Sequence, residues 1–197
     1  MARPIKHDRA QLLDTATALF WEKGYRGVSI KDLVKETGVL AGSLYSSYGS
    51  KDGVFVECIH RYSEMCAPMY LAAEQVESPL GQIEKLFEEV LEDATSEGGW
   101  RGCFVVNSLL EVAPDKPEIA ETLKRYVEHA ERWIAERLQQ ARERGELKAE
   151  IPIDEVAANL FGIALAVRVK SRAGESAERI SSFAHSMLKS LLDVWKA

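Results

Sequence analysis

The chain has 197 residues, 46% of them hydrophobic and 28% charged. These ordinary values exclude wholesale disorder and a collagen-like chain, and they suit one domain or a small module joined to a larger one. The net charge of −6 argues against a whole-surface polyanion binder, but it is unevenly placed: residues 1–53 hold eight Lys/Arg and six Asp/Glu, a net of +2, and the remainder nets −8. A small basic head on an acidic body is expected.

Three Cys cannot form a disulfide framework, because one is always left over. That points to a cytoplasmic protein. The longest apolar stretch, Val156 to Val169, is too short for a membrane span and is interrupted by Asn159 and Arg168. Asp8 and Asp14 break any signal-peptide core. No membrane partner is expected.

Taken in chain order, nearly every periodic segment reads as helix. Leu12, Ala16, Leu19 and Phe20 share one face of a helix that ends at Gly24. Ser29 can cap the next helix, with Asp32 at its positive end and Ile30, Leu33 and Val34 facing inward, and Gly38 ends it. Val39 and Leu44 anchor a very short third helix. Ser50 restarts the chain as an N-cap, and a long helix follows through Val54, Phe55, Ile59 and Tyr62 towards Met69.

Leu80 to Ala94 forms one amphipathic stripe, broken by Gly98-Gly99. Phe104 to Val112 is apolar nearly all round, as a buried central helix would be. After Pro114 and Pro117 a helix of about seven turns runs from Ile119 to Ala141 and ends at Gly145. Pro152 fits a first-turn position of a helix reaching Arg172, and Ile180 to Trp195 completes the last stripe. The expected fold is all-α with about nine helices: a three-helix head, residues 1–53, and a larger helical body, residues 54–197, with no strand, repeat or flexible linker.

Ser29 to Tyr45, a helix, a tight turn with Gly38 and a second short helix, has the helix-turn-helix layout. One helix braces across the DNA backbone while the second presents its N-terminal side chains to base edges in the major groove. Lys51 follows Ser50 at a helix N-terminus, where dipole and ammonium act together on an anion.

Residues 10–56 resemble the DNA-binding domain of the TetR family of transcriptional regulators. The resemblance rests on Ala16, Leu19, Phe20, Gly24, Tyr25, Ser29, Ile30, Asp32, Leu33, Gly38, Val39, Gly42, Ser43, Leu44, Tyr45, Tyr48, Lys51 and Phe55, with the block G-V-L-A-G-S-L-Y-S-S-Y-G-S-K-D at the recognition helix. It implies a homodimer, two heads on one palindromic double-stranded operator, and a pocket in the body for a small-molecule effector. By the same resemblance Tyr45 and Lys51 contact phosphates, and Ala41, Gly42 and Ser43 face the groove. Ser29, Lys31 and Tyr48 complete the expected interface. The sequence departs from the family at Leu40 and Ala41, where a polar and a basic residue are common. Leu40 cannot cap a helix, but apolar contact with thymine methyls remains open to both.

Within the body, the last two helices carry the expected dimer face. One has eight apolar positions in its final stripe, and the other offers Ala157, Ala158, Gly162, Ala164 and Ala166 for close approach. Phe87, Trp100, Cys103, Phe104, Asn107, Tyr126, His129, Trp133 and Phe161 are the candidate pocket residues, each of which an ordinary core could also contain. Cys103 stands at a helix start beside Arg101 and Gly102. The stretch G-C-F-V-V-N-S-L-L-E resembles the NemR-like subset of the family, in which the matching cysteine senses electrophiles and oxidants. An inert packed thiol is the competing reading.

No catalytic motif is present, and no cofactor or metal site is expected. Glu57-x-x-His60 is half of a di-iron pattern, but neither His129 nor His185 has a Glu three residues before it. The sequence therefore reads as a ligand-responsive DNA-binding regulator, a repressor in preference to an activator. The alternatives are a helical adaptor that does not bind DNA and a helical di-iron enzyme. Specific duplex binding with a steep salt slope separates the first reading from both.

Overall fold

The computed structural model describes residues 9–112 and 114–197, so the basic residues Arg3 and Lys6 of the head lie outside it. Among the described residues there are nine α-helices and no strand. They are α1 (Arg9–Lys23), α2 (Ile30–Thr37), α3 (Ala41–Tyr48), α4 (Lys51–Glu74), α5 (Pro79–Thr95), α6 (Phe104–Val112), α7 (Pro117–Glu143), α8 (Ile153–Arg172) and α9 (Ala177–Leu192), with a 3₁₀ turn at Gly99–Arg101. They form two compact units. The first contains the described residues up to Met65 together with Phe104–Lys124; the second contains Cys66–Cys103 and Arg125–Ala197.

Local chemistry sets the helix ends of the first unit. Ser29 and Asp32 form a reciprocal capping box: Ser29 Oγ accepts the Asp32 N–H, and the Asp32 carboxylate accepts the Ser29 N–H at 2.8 Å. The bonds from Ser29 hold the Asp32 carboxyl below its ordinary value. Gly38 closes α2 in the left-handed region, φ +70°, where its N–H reaches the Val34 carbonyl at 3.0 Å. Ser29→Ala removes the cap acceptor and should lower the free energy of unfolding by about 1 kcal/mol, read as a lower urea midpoint at unchanged slope.

The core of this unit is an aromatic cluster. Phe55 is fully buried and meets Phe20 edge-on at 4.9 Å, Tyr25 at 5.0 Å and Phe104 at 5.5 Å. Trp21 and Tyr62 extend it, with ring centroids 5.0 Å apart. Buried Leu33 and Leu44 tie α2 and α3 to this base.

In the second unit α5, α7, α8 and α9 surround a core that includes Ile83, Phe87, Trp133, Leu138, Leu160 and Leu192. Ser78 caps α5, and Glu146 bonds the Ser78 hydroxyl at 2.7 Å and the Leu80 N–H at 3.0 Å. Arg168, which interrupts the apolar run in the sequence, is buried and pairs with Asp93, while Ser171 Oγ donates to the Ala94 carbonyl at 2.6 Å.

Two helix ends differ from expectation. The fourth helix passes Met69 and Pro68 and continues to Glu74. Proline costs one backbone donor there, but Ala73 is completely buried in the core of the second unit and Tyr70 packs on that core. The last helix stops at Leu192. Trp195 packs on the core from the following turn, and its carbonyl accepts the Lys148 N–H at 2.8 Å.

Candidate nucleic-acid interface

The third helix is eight residues of mostly small side chains held by one apolar anchor. Leu44 faces inward and is buried, which turns Gly42, Ser43, Tyr45, Ser46 and Ser47 outward. Ala41 is half-buried. Tyr45 is 50% exposed and Leu40 72%, so neither belongs to the core. Leu40 stands at the N-cap and makes no side-chain capping bond. Its carbonyl accepts the Ser43 N–H at 2.9 Å, which leaves the Ala41 and Gly42 amides to water or to an external acceptor.

Around this helix, Ser29 and Lys31 are exposed at the start of α2. Ser29 is committed to the capping box. Tyr48 is half-buried, and burial raises its phenol above the ordinary value against the opposing charge of Arg9. Arg9 itself pairs with Glu57 at 2.5 Å, so the Glu of the half di-iron pattern is held by an arginine.

Lys51 sits at the first position of α4, whose N-cap Ser50 accepts the Gly53 N–H at 3.2 Å. Its ammonium turns towards the head: Nζ donates to the Val28 carbonyl at 2.7 Å and lies 4.1 Å from the centroid of the Tyr25 ring. Burial pushes this ammonium below the ordinary lysine value. Lysine has three donors, so an external anion can still be met, but the residue also braces the turn before α2.

Sequence reasoning missed the remainder of that brace. The Tyr25 hydroxyl bonds Asp52, and Lys116 Nζ donates to Asp52 at 2.7 Å. For Asp52 burial pulls upward, yet the bonds from Lys116 and Tyr25 outweigh it and hold the carboxyl below its ordinary value. Glu111 accepts the N–H groups of Tyr25 and Arg26, and Asp115 pairs with the Arg26 guanidinium. The available signal was the final Glu of G-C-F-V-V-N-S-L-L-E, the one charged residue of the helix Phe104–Val112.

The candidate pocket residues divide. Phe104 and Asn107 belong to the first unit, where Phe104 is part of the aromatic cluster. In the second unit Phe87 and Trp133 are buried together, with Phe161 packed against the same core. Trp100, at 53% exposure, and His129 lie on its surface, and Tyr126 and Cys103 are half-buried. Tyr70, beyond the expected end of its helix, meets Trp133 edge-on at 5.4 Å, and burial pushes its phenol up to about 12. Cys58, Cys66 and Cys103 form no disulfide. Burial pushes the Cys58 thiol up to about 12, and Cys103 immediately precedes α6.

Comparison with known proteins gives a consistent result. The model of bacterial regulatory proteins of the tetR family matches residues 12–58, and that of the tetracycline-repressor-like C-terminal domain matches residues 79–187. The chain is 32% identical over 192 residues to the HTH-type transcriptional repressor ComR of Escherichia coli, covering 95% of this chain and 90% of ComR. It is 25% identical over 195 residues to the repressor BdcR of the same organism, covering 97% and 94%. Among solved structures, a cysteine mutant of the TetR-family regulator CifR, complexed with 26-bp double-strand operator DNA, superposes with a TM-score of 0.87. It has 26% identity and covers 95% of this chain and 98% of CifR.

Proposed function

The chain belongs to the TetR family of bacterial regulatory proteins, and from that premise we propose that it binds a palindromic operator as a homodimer and leaves it when a small molecule occupies the body. It is a transcriptional regulator and not an enzyme, as its relatives are. We assign it to the repressors, like ComR and BdcR, and to the cytoplasm, where its DNA is. No described helix is long and apolar enough to cross a membrane.

The observation that carries this reading is α3: a short helix anchored by buried Leu44, with Ser43 and Tyr45 exposed and an N-terminus that no side chain caps. Bare N–H groups at a helix N-terminus suit a phosphate oxygen, and Ser43 is short enough to read a base edge. Support for the dimer comes from the surface of the last two helices of the second unit. Ala158, Gly162 and Val169 of α8 and Met187 of α9 are exposed, and a side chain at Gly162 would meet nothing within 4 Å. Support for an effector pocket comes from Phe87, Trp133, Phe161 and Tyr70, an apolar and aromatic group with one phenol.

Selection of bound genomic fragments tests the reading. Two half-sites about 34–36 Å apart, or a multiple of that spacing, are expected, with affinity that falls steeply with salt. Substitution of Ser43 should change the preferred bases, whereas Lys51→Ala should weaken all sequences about equally and lower the salt slope by about 1. Weaker binding at an unchanged slope would assign Lys51 to bracing alone. A protein that enriches no sequence would overturn the proposal.

A further inference from the structure

We propose that Glu111 is a positioning residue for operator recognition, holding the turn between α1 and α2 in the shape that seats the recognition helix. The inference rests on the DNA-binding reading above and adds a residue that lies 85 or more positions away from the turn it holds.

The geometry is that of a carboxylate in a nest of amides. Glu111 Oε2 accepts the Tyr25 N–H at 2.9 Å, and Oε1 accepts the Arg26 N–H at 2.7 Å. Successive amides converge on one anion only where the chain turns sharply, and Gly24 supplies that turn with φ +76°. A Cβ on Gly24 would stand 2.7 Å from Oε2, so the absence of a side chain makes room for the carboxylate as well as for the turn. Both oxygens of Glu111 are thus committed at the C-terminal end of α1. A free carboxylate is disfavoured beside that negative pole of the helix dipole, so the amide pair is what keeps it there.

The turn is gripped from a second side by Lys51, whose ammonium holds the Val28 carbonyl. The next residue, Ser29, caps α2, and α2 leads through Gly38 to α3. The direction in which α2 leaves the turn therefore depends on how residues 24–28 are held. Helix α6, which carries Glu111, follows Cys103 of the second unit directly in the chain, and α7 continues into that unit beyond Lys124. The grip on the head is thus built on a segment whose two ends are both joined to the effector-binding part.

Glu111→Gln in the full-length protein tests this. The variant keeps the shape but sets an NH₂ group against one of the two amides. At a temperature where circular dichroism shows it fully folded, its affinity for the duplex selected from genomic DNA should fall about tenfold, the effect of one charge-assisted hydrogen bond. The salt slope should not move, because no phosphate contact is lost, and amide exchange at Tyr25 and Arg26 should accelerate. A purely stabilising role would lower the melting temperature and leave the affinity of the folded protein as it was; that result overturns the proposal. If Glu111→Gln does not fold, Glu111→Asp, which keeps the charge on a shorter stem, undergoes the same two measurements, with a smaller loss expected and wild-type affinity again overturning. If the wild type itself binds no duplex, the DNA-binding reading fails, and unchanged exchange at Tyr25 and Arg26 in the variant would then reject the grip as well.

Discussion

Phe55→Ala should cost about 3–5 kcal/mol, the usual penalty for truncating a fully buried aromatic residue. The expectation sits at the upper end because Phe55 is the hub of its cluster. Its ring meets Phe20, Tyr25 and Phe104 within 5.5 Å, all in edge-on geometry, and such contacts add to area burial. A domain holds only about 5–15 kcal/mol in total, so this single change removes a large part of it. A urea titration followed by circular dichroism checks the value. A loss below about 1 kcal/mol would mean that the cluster collapses around the gap.

Met187→Glu should separate the dimer and abolish tight operator binding in one step. Met187 is 42% exposed on α9, so a charge there is solvated in the isolated protomer and buried only against a partner. Leu188 and Leu191, the more obvious choices from the apolar stripe, are half-buried and pack on their own core. A charge at either would unsettle the protomer and confuse the two effects. Once each head acts alone, the gain from bivalent attachment, of order 10²–10⁴, is lost. Sedimentation velocity and fluorescence anisotropy on the same sample give both readouts. A dimer that survives at micromolar concentration would move the interface to another face.

The helical order could be read from periodicity because the stops are written in glycine. Gly24, Gly38 and Gly145 follow α1, α2 and α7, and each has φ between +70° and +76°. The capping box at Ser29 was half legible: the hydroxyl and the nearby acid were visible, and the reciprocal bond was not. Where the reading stopped short, a tertiary contact had overruled a local signal. Core packing at Tyr70 and Ala73 carries the fourth helix past Pro68. Arg168 looked like a break in an apolar run, and only the fold brings Asp93 to it.

The candidate interface was legible for the same local reason. The outward face of α3 follows once Leu44 is its anchor. The supporting contacts were not legible, because Glu111, Asp115 and Lys116 meet Tyr25, Arg26 and Asp52 across 64 to 89 positions of sequence. Trp100 and His129, two of the candidate pocket residues, lie on the surface of the second unit. Composition nominates an aromatic or a histidine, but it does not say which side of the 3₁₀ turn or of α7 faces inward.

The discontinuous first unit bears on how such proteins can be recombined. A chimaera that fuses residues 1–53 to a foreign body would carry the whole helix-turn-helix and still lack the carboxylate that belongs under its first turn. On this division the head of this chain is not a free-standing cassette. Exchange between relatives should succeed when residues 104–124 travel with the head, or when the recipient already offers an acid opposite Gly24. Inheritance of a new operator specificity is then a two-segment event, with the second segment buried in what looks, along the chain, like someone else's domain.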